Sequence, residues 1–170
     1  YEVGVVSDLA YGALGYQGYE NPSFLSTPGA KDVGIEFYTF SKTFNMAGWR
    51  LAFAAGNDQM IEALNLIQDH LFVGIFPALQ EAGIAALLDP KSEEAVAQLN
   101  ATYDSRRDAF VQAAAKIGWQ AFPSRGSFYA WMPVPEGYTS ESFADLLLEK
   151  VHVAVAPGKG FGPAGDAYVR

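Results

Sequence analysis

Two short apolar runs, residues 3–6 (VGVV) and 34–40 (GIEFYTF), each end in a knot of polar side chains, and this pairing constrains the fold more than any other feature. Their β-branched and aromatic content predicts strands, and a third run at residues 51–55 follows the second after a short connection. In open α/β sheets, ligands are held at the carboxyl ends of the strands. Ser7, Asp8 and Tyr11 follow the first run at that edge. Thr39, Ser41 and Lys42 close the second, and Arg50 stands eight residues past Lys42, after Gly48.

A lysine sheltered at a strand end can lose its proton and attack a carbonyl as a free amine, forming a Schiff base, whereas an always-charged guanidinium suits a phosphate. Lys42 and Arg50 therefore read as holding a phosphorylated aldehyde. Thr39 and Ser41 add hydroxyls, and Asp8 with Tyr11 adds a carboxylate and a phenol in one turn. These groups match the protein's share of pyridoxal phosphate chemistry, in which an aspartate holds the pyridinium nitrogen and a lysine carries the imine. Singly, each has an ordinary reading, as a solvated lysine or a turn-capping aspartate. Their order and their places at strand ends carry the functional one.

With residues 8–11 (DLAY), Ser41 and Lys42, residues 48–50 (GWR), residues 157–162 (PGKGFG) and residues 168–170 (YVR), the chain resembles the class I/II aminotransferases of fold type I from end to end. The resemblance implies an α/β fold with part of the large-domain sheet, flanking helices and a smaller α/β carboxy-terminal domain. It implies pyridoxal 5′-phosphate as cofactor, with Lys42 as tether and acid/base, Asp8 on the ring nitrogen and Tyr11 on the ring hydroxyl oxygen. Arg50 would bind the phosphate with Thr39, a position where many relatives have serine, and with Ser41 beside them. Arg170 would grip the substrate α-carboxylate in a bidentate fork. Amino acid and 2-oxo acid substrates and a homodimer follow from the same resemblance.

On that basis the chain reads as a fragment: residues 1–93 as the second half of the large domain, and 94–170 as an interdomain helix and truncated small domain. It opens on Tyr1 and closes on Arg170. The glycine-containing phosphate loop, the ring-stacking aromatic and an asparagine near the ring hydroxyl would lie upstream, so this segment alone is expected to bind cofactor poorly and to be inactive.

Within the family, residues 29–36 (GAKDVGIE), 65–70 (NLIQDH) and 133–140 (PVPEGYTS) resemble the methionine-salvage members, which convert 4-methylthio-2-oxobutanoate to methionine. None of these stretches has a role in choosing that substrate. Two other readings use the same residues: a carbon–sulfur β-lyase of the same fold, and an aminotransferase-like sensor domain of a transcriptional regulator.

Composition sets bounds. Half of the 170 residues are hydrophobic, enough for a substantial core, and the net charge of −8 argues against nucleic acid or an anionic membrane as partner. There is no cysteine, and the two histidines lack ligand spacing, so no metal site is expected. No apolar run reaches spanning length and no basic leader is visible, which makes a cytoplasmic protein the expectation.

Between the motifs the pattern is helical. Asn57 and Asp58 cap a helix with Ile61, Leu64, Ile67 and Leu71 on one face; Pro77 opens a second, ended by Asp89 and Pro90; Ser92 opens a long third running to Gly118. Residues 119–122, 127–132 and 151–155 read as strands, with a helix begun by Ser140 before the last. The glycines at 158, 160, 162 and 165 read as flexibility in a segment closing over substrate. Tyr16 reads as lining the site mouth or as a surface aromatic, and Trp49 as packing under its loop.

Overall fold

A computed structural model describes residues 3–170, and the chain divides into two compact units, Tyr1–Ala101 and Thr102–Arg170. The first is built on a three-stranded sheet ordered β1 (Val5–Asp8), β2 (Gly34–Thr39), β3 (Ala52–Gly56). β1 and β2 are parallel, with Val5 opposite Gly34 and Asp8 opposite Phe37, and β3 returns antiparallel with Ala52 opposite Thr39. A parallel pair needs a long crossover. Residues 9–33 supply it, through a 3-10 turn at Phe24–Ser26 and the short helix α1 (Ala30–Val33). The antiparallel step needs only the connection carrying α2 (Phe40–Thr43) and a 3-10 turn at Ala47–Trp49.

The helices start where their sequence signals stand. The Asn57 side chain accepts from the Met60 amide at 3.1 Å and caps α3 (Asp58–Leu71). Pro77 occupies the first turn of α4 (Pro77–Leu88), where its missing N–H costs nothing. α5 (Ser92–Lys116) follows, and the boundary between the two units, after Ala101, falls inside it. Leu14, Tyr16, Ala30, Ile35, Phe40 and Leu51 form the buried apolar set of the first unit. Tyr16, only 3% exposed, is a core residue and not the surface or mouth aromatic expected.

The second unit packs Ala114 of α5 with Met132, Phe143 and Val169, and Trp119, Leu146, Leu147 and Val155 lie against them. Its helix α6 (Ser140–Val151) begins with a capping box in which Thr139 and Ser142 each accept from the other's backbone N–H. In its first turn, the Glu141 carboxylate bonds the exposed Lys159 ammonium at 2.7 Å and raises its pKa above the ordinary lysine value.

Strand content in this unit is smaller than the sequence predicts. β4 (Met132–Pro133) and β5 (Tyr168–Val169) pair, antiparallel, with a further bridge between Pro157 and Val169. The expected strand at 119–122 does not form; the Trp119 indole N–H instead bonds the Pro133 carbonyl at 2.7 Å. Of 127–132 only Met132 enters a strand. At 151–155, Val151 ends α6, and the Val153 N–H turns back to the Leu147 carbonyl across the left-handed His152. Apolar alternation makes a strand only where a ladder partner takes its amides.

The glycine-rich segment is also packed. It forms two 3-10 turns, Gly158–Phe161 and Pro163–Ala167, whose backbones touch: a Cβ on Gly165 would lie 2.0 Å from the Gly158 carbonyl oxygen, and one on Gly158 would lie 2.2 Å from the Gly165 oxygen. Gly165→Ala is therefore expected to cost about 3 kcal/mol by forcing main chain apart, read as an earlier urea transition. Gly160→Ala meets nothing within 4 Å and is expected to stay within about 0.5 kcal/mol. Equal tolerance of both would restore the flexible-segment reading. Among the described residues, no helix is long and apolar enough to cross a membrane.

Candidate active site

The parallel pairing of β1 and β2 puts their carboxyl ends side by side, and the start of β3 lies at the same edge. Asp8 is the last residue of β1. Side chains alternate along a strand, and the one before it, Ser7, donates its hydroxyl to Glu36 at 3.0 Å. Asp8 is thereby turned to the other face, which it shares with its register partner Phe37, and is exposed there.

Glu36 is buried, yet its carboxylate is fully engaged. It accepts from Ser7 Oγ, from Ser23 Oγ at 2.6 Å and from the Phe24 amide at 2.7 Å. These bonds tie β1, β2 and the crossover together. Glu36→Ala strands three donors and is expected to destabilise the protein by roughly 3 kcal/mol in chemical denaturation. A loss below about 1 kcal/mol would mean that water replaces the carboxylate.

Tyr11 follows in a turn closed by the Leu14 amide on the Tyr11 carbonyl at 2.9 Å. The Asn21 amide nitrogen lies 3.0 Å from the Tyr11 carbonyl and 3.1 Å from that of Leu14, so one side chain clamps the turn from across the loop. Leu14 is wholly buried and anchors it.

β2 ends on Thr39, whose hydroxyl caps α2 by accepting from the Ser41 amide at 3.1 Å, and lies 2.9 Å from Ser41 Oγ. The four-residue helix is pinned by the buried Phe40 and Thr43. Phe40 donates its amide to the Leu51 carbonyl, and its ring meets those of Phe44 and Phe53. Thr43 Oγ1 lies 2.7 Å from the Tyr38 hydroxyl. Lys42 is thus half-buried on a rigid turn, its Nζ 6.0 Å from the centroid of the Tyr11 ring.

Arg50 closes the connection in the left-handed region, at φ 54° and ψ 44°, with Nη1 donating to the Ala47 carbonyl at 2.9 Å. Such backbone is costly for a residue with a Cβ and concentrates at functional sites. Trp49 beside it is 47% exposed and does not pack under the loop as expected.

The structure thus brings Asp8, Tyr11, Thr39, Ser41, Lys42 and Arg50 to one edge of one sheet. Arg170 belongs to the second unit, where its amide and carbonyl pair with those of Ala156, both at 2.9 Å. The sequence reading missed Asn21 and Glu36. Asn21 beside Pro22 looks like a turn residue, and Glu36 in an alternating strand looks like a solvated charge.

The family model for aminotransferase class I and II matches residues 1–170. The L-glutamine--4-(methylsulfanyl)-2-oxobutanoate aminotransferase of Bacillus subtilis (strain 168) is 60% identical over 166 residues, 98% of this chain and 41% of that protein. The LL-diaminopimelate aminotransferase of Moorella thermoacetica is 47% identical over 170 residues, 100% of this chain and 43% of that protein. A solved aminotransferase from Staphylococcus aureus matches with a TM-score of 0.92 at 41% identity, covering 98% of this chain and 44% of that one. The chain belongs to the class I and II aminotransferase family, with the α/β architecture of its fold-type I members. It spans about two fifths of the length of the curated relatives it matches.

Proposed function

We propose that this chain is the part of an aminotransferase that holds pyridoxal 5′-phosphate through Asp8, Tyr11, Thr39, Ser41, Lys42 and Arg50, and the substrate carboxylate through Arg170. The observation that carries the reading is the convergence of the first six on one sheet edge. The donor set fits the cofactor chemically: a carboxylate for a ring nitrogen, a phenol for a ring hydroxyl, an amine for an aldehyde, and a guanidinium with two hydroxyls for a phosphate. When bound, the cofactor supplies an amine-reactive aldehyde and an electron-accepting ring.

The residues divide the remaining tasks. Asp8 would favour the protonated ring nitrogen by its charge, and Tyr11 would donate to the ring hydroxyl oxygen. Arg50 would neutralise phosphate charge. Lys42 would hold the aldehyde carbon and would supply the amine that moves a proton from the substrate α-carbon. Arg170 presents a planar fork to the α-carboxylate.

The reaction is transamination between an L-amino acid and a 2-oxo acid. Its finer form, 4-methylthio-2-oxobutanoate to methionine with glutamine as donor, is supported by the relative at 60% identity; relatives named as LL-diaminopimelate aminotransferases are 47% and 42% identical. The test is to incubate the full-length, cofactor-loaded protein with methionine and no keto acid. Release of one 4-methylthio-2-oxobutanoate per site supports the reading, and a response only to LL-diaminopimelate moves the substrate. Pyruvate and thiol from cystathionine would make it a lyase, and silence toward every amino acid would favour the sensor domain.

A homodimer is part of the proposal. Leu71, Phe72, Val73 and Phe76 form an apolar stretch, each at least 67% exposed, of a kind that marks contact surfaces. Phe72→Asp with Phe76→Asp is expected to shift the sedimenting species from dimer to monomer. An unchanged dimer would place the contact elsewhere.

A further inference from the structure

Arg170 does not stand alone in the second unit. Its Cζ lies over the Tyr129 ring, 4.2 Å from the centroid, and over the Phe161 ring, 4.4 Å from the centroid. Both rings continue into further aromatics. Tyr129 contacts Phe128 at 4.9 Å, and Phe128 contacts Tyr103 at 5.4 Å. Phe161 meets Trp131 edge-on at 5.6 Å, and Trp131 stacks on Tyr168 at 5.4 Å. The guanidinium thus bridges two arms of an aromatic series.

A guanidinium uses its flat faces and its edge for different partners. The faces take aromatic rings; the N–H groups, all in the plane, take carboxylate oxygens. A ring on a face does not compete with a bidentate carboxylate, and ring contacts at 4.2 and 4.4 Å restrict the side-chain rotations that would aim the fork elsewhere. The main chain is already fixed, because Arg170 exchanges both hydrogen bonds with Ala156. Phe161 is fixed in turn, since it ends the 3-10 turn locked by the close approach of Gly158 and Gly165. Phe161 is 54% exposed and Tyr129 37%, so both rings reach the surface of this unit.

We propose that Tyr129 and Phe161 are positioning residues that hold the Arg170 fork ready for the substrate α-carboxylate, and so set affinity for amino acids without entering the chemistry. The proposal rests on the carboxylate role given to Arg170 above. Because ordering the arginine is done before binding, less freedom is lost when substrate arrives.

The test uses the full-length, cofactor-loaded enzyme with two probes: methionine, and 3-(methylthio)propylamine, the same chain without the carboxylate. Phe161→Leu and Tyr129→Leu are each expected to raise KM for methionine about 3- to 10-fold, with kcat within about 2-fold and affinity for the amine unchanged. The double variant should approach Arg170→Lys, and Phe161→Tyr or Tyr129→Phe, which keep a ring, should recover the original KM. Equal losses for methionine and amine would show general damage and overturn the proposal. An unchanged KM in the leucine variants while Arg170→Lys raises it would overturn the positioning role alone. If Arg170→Lys leaves methionine binding intact, the carboxylate role falls, and the positioning role with it.

Discussion

Lys42→Ala in the full-length protein is expected to lower transamination by more than about 10³-fold, because in the proposed role one side chain carries both the nucleophile and the proton shuttle. The local structure says why this lysine and not another. α2 is capped at its start by Thr39, closed at its end by the Phe44 amide on the Phe40 carbonyl, and anchored by the buried Phe40 and Thr43. The base of Lys42 is therefore rigid, and its amine stands beside Tyr11 at the edge where β1 and β2 both end. Lys159, by contrast, is an exposed ammonium bonded to Glu141. Two readouts check the expectation. Keto acid formation should vanish, and intact mass after borohydride treatment should show no cofactor fixed to the protein, while dialysis still shows free cofactor retained by the other residues. A fixed cofactor in the alanine variant would move the tether to a different lysine.

The strands of the first unit were legible because each run met a partner of matching length. Parallel pairing of β1 with β2 supplies ladder bonds from Val5 to Asp8, which extends the first strand past the apolar stretch to the aspartate itself. Helix starts were legible for a local reason, since Asn57 and Pro77 act within one turn of their own positions. Residues 119–122 and 151–155 carry the same apolar content as a strand but spend their polar groups on Pro133 and on a helix end. Nothing local in the sequence encodes those partners. Gly158 and Gly165 show the same limit, for a glycine needed for close approach looks like a glycine needed for flexibility.

The candidate site divides in the same way. Asp8, Tyr11, Lys42 and Arg50, the proposed reactive groups, announce themselves by their places at strand ends. The residues that aim them do not, because the value of Glu36 and Asn21 lies in bonds across 12 to 29 and 7 to 10 positions respectively. Thr39 belongs to both groups. It reads as a phosphate-side hydroxyl, and the structure also makes it the cap that orders the turn bearing Lys42.

Asp8→Asn is expected to cut kcat by about 10²-fold or more while cofactor is still bound, since the change removes a charge and keeps the shape. A carboxylate near a titrating nitrogen raises that nitrogen's pKa by roughly 1–3 units. With Asp8 in its proposed place, loss of the charge would leave the ring nitrogen less protonated near neutrality and would weaken its pull on electrons from the substrate. Asp8 is well placed for such a charge effect, because Ser7 is committed to Glu36 on the opposite face and the strand ends at the aspartate. Asp8→Glu keeps the charge on a longer arm and should retain more activity than Asp8→Asn. The pH profile separates a charge role from a packing role: activity of Asp8→Asn should recover partly as pH falls and the ring nitrogen is protonated by solvent. Combining the substitution with Lys42→Ala should cost little beyond Lys42→Ala alone, as groups serving one reaction centre are not additive. Turnover within about 3-fold of the original in Asp8→Asn would remove the aspartate from the site.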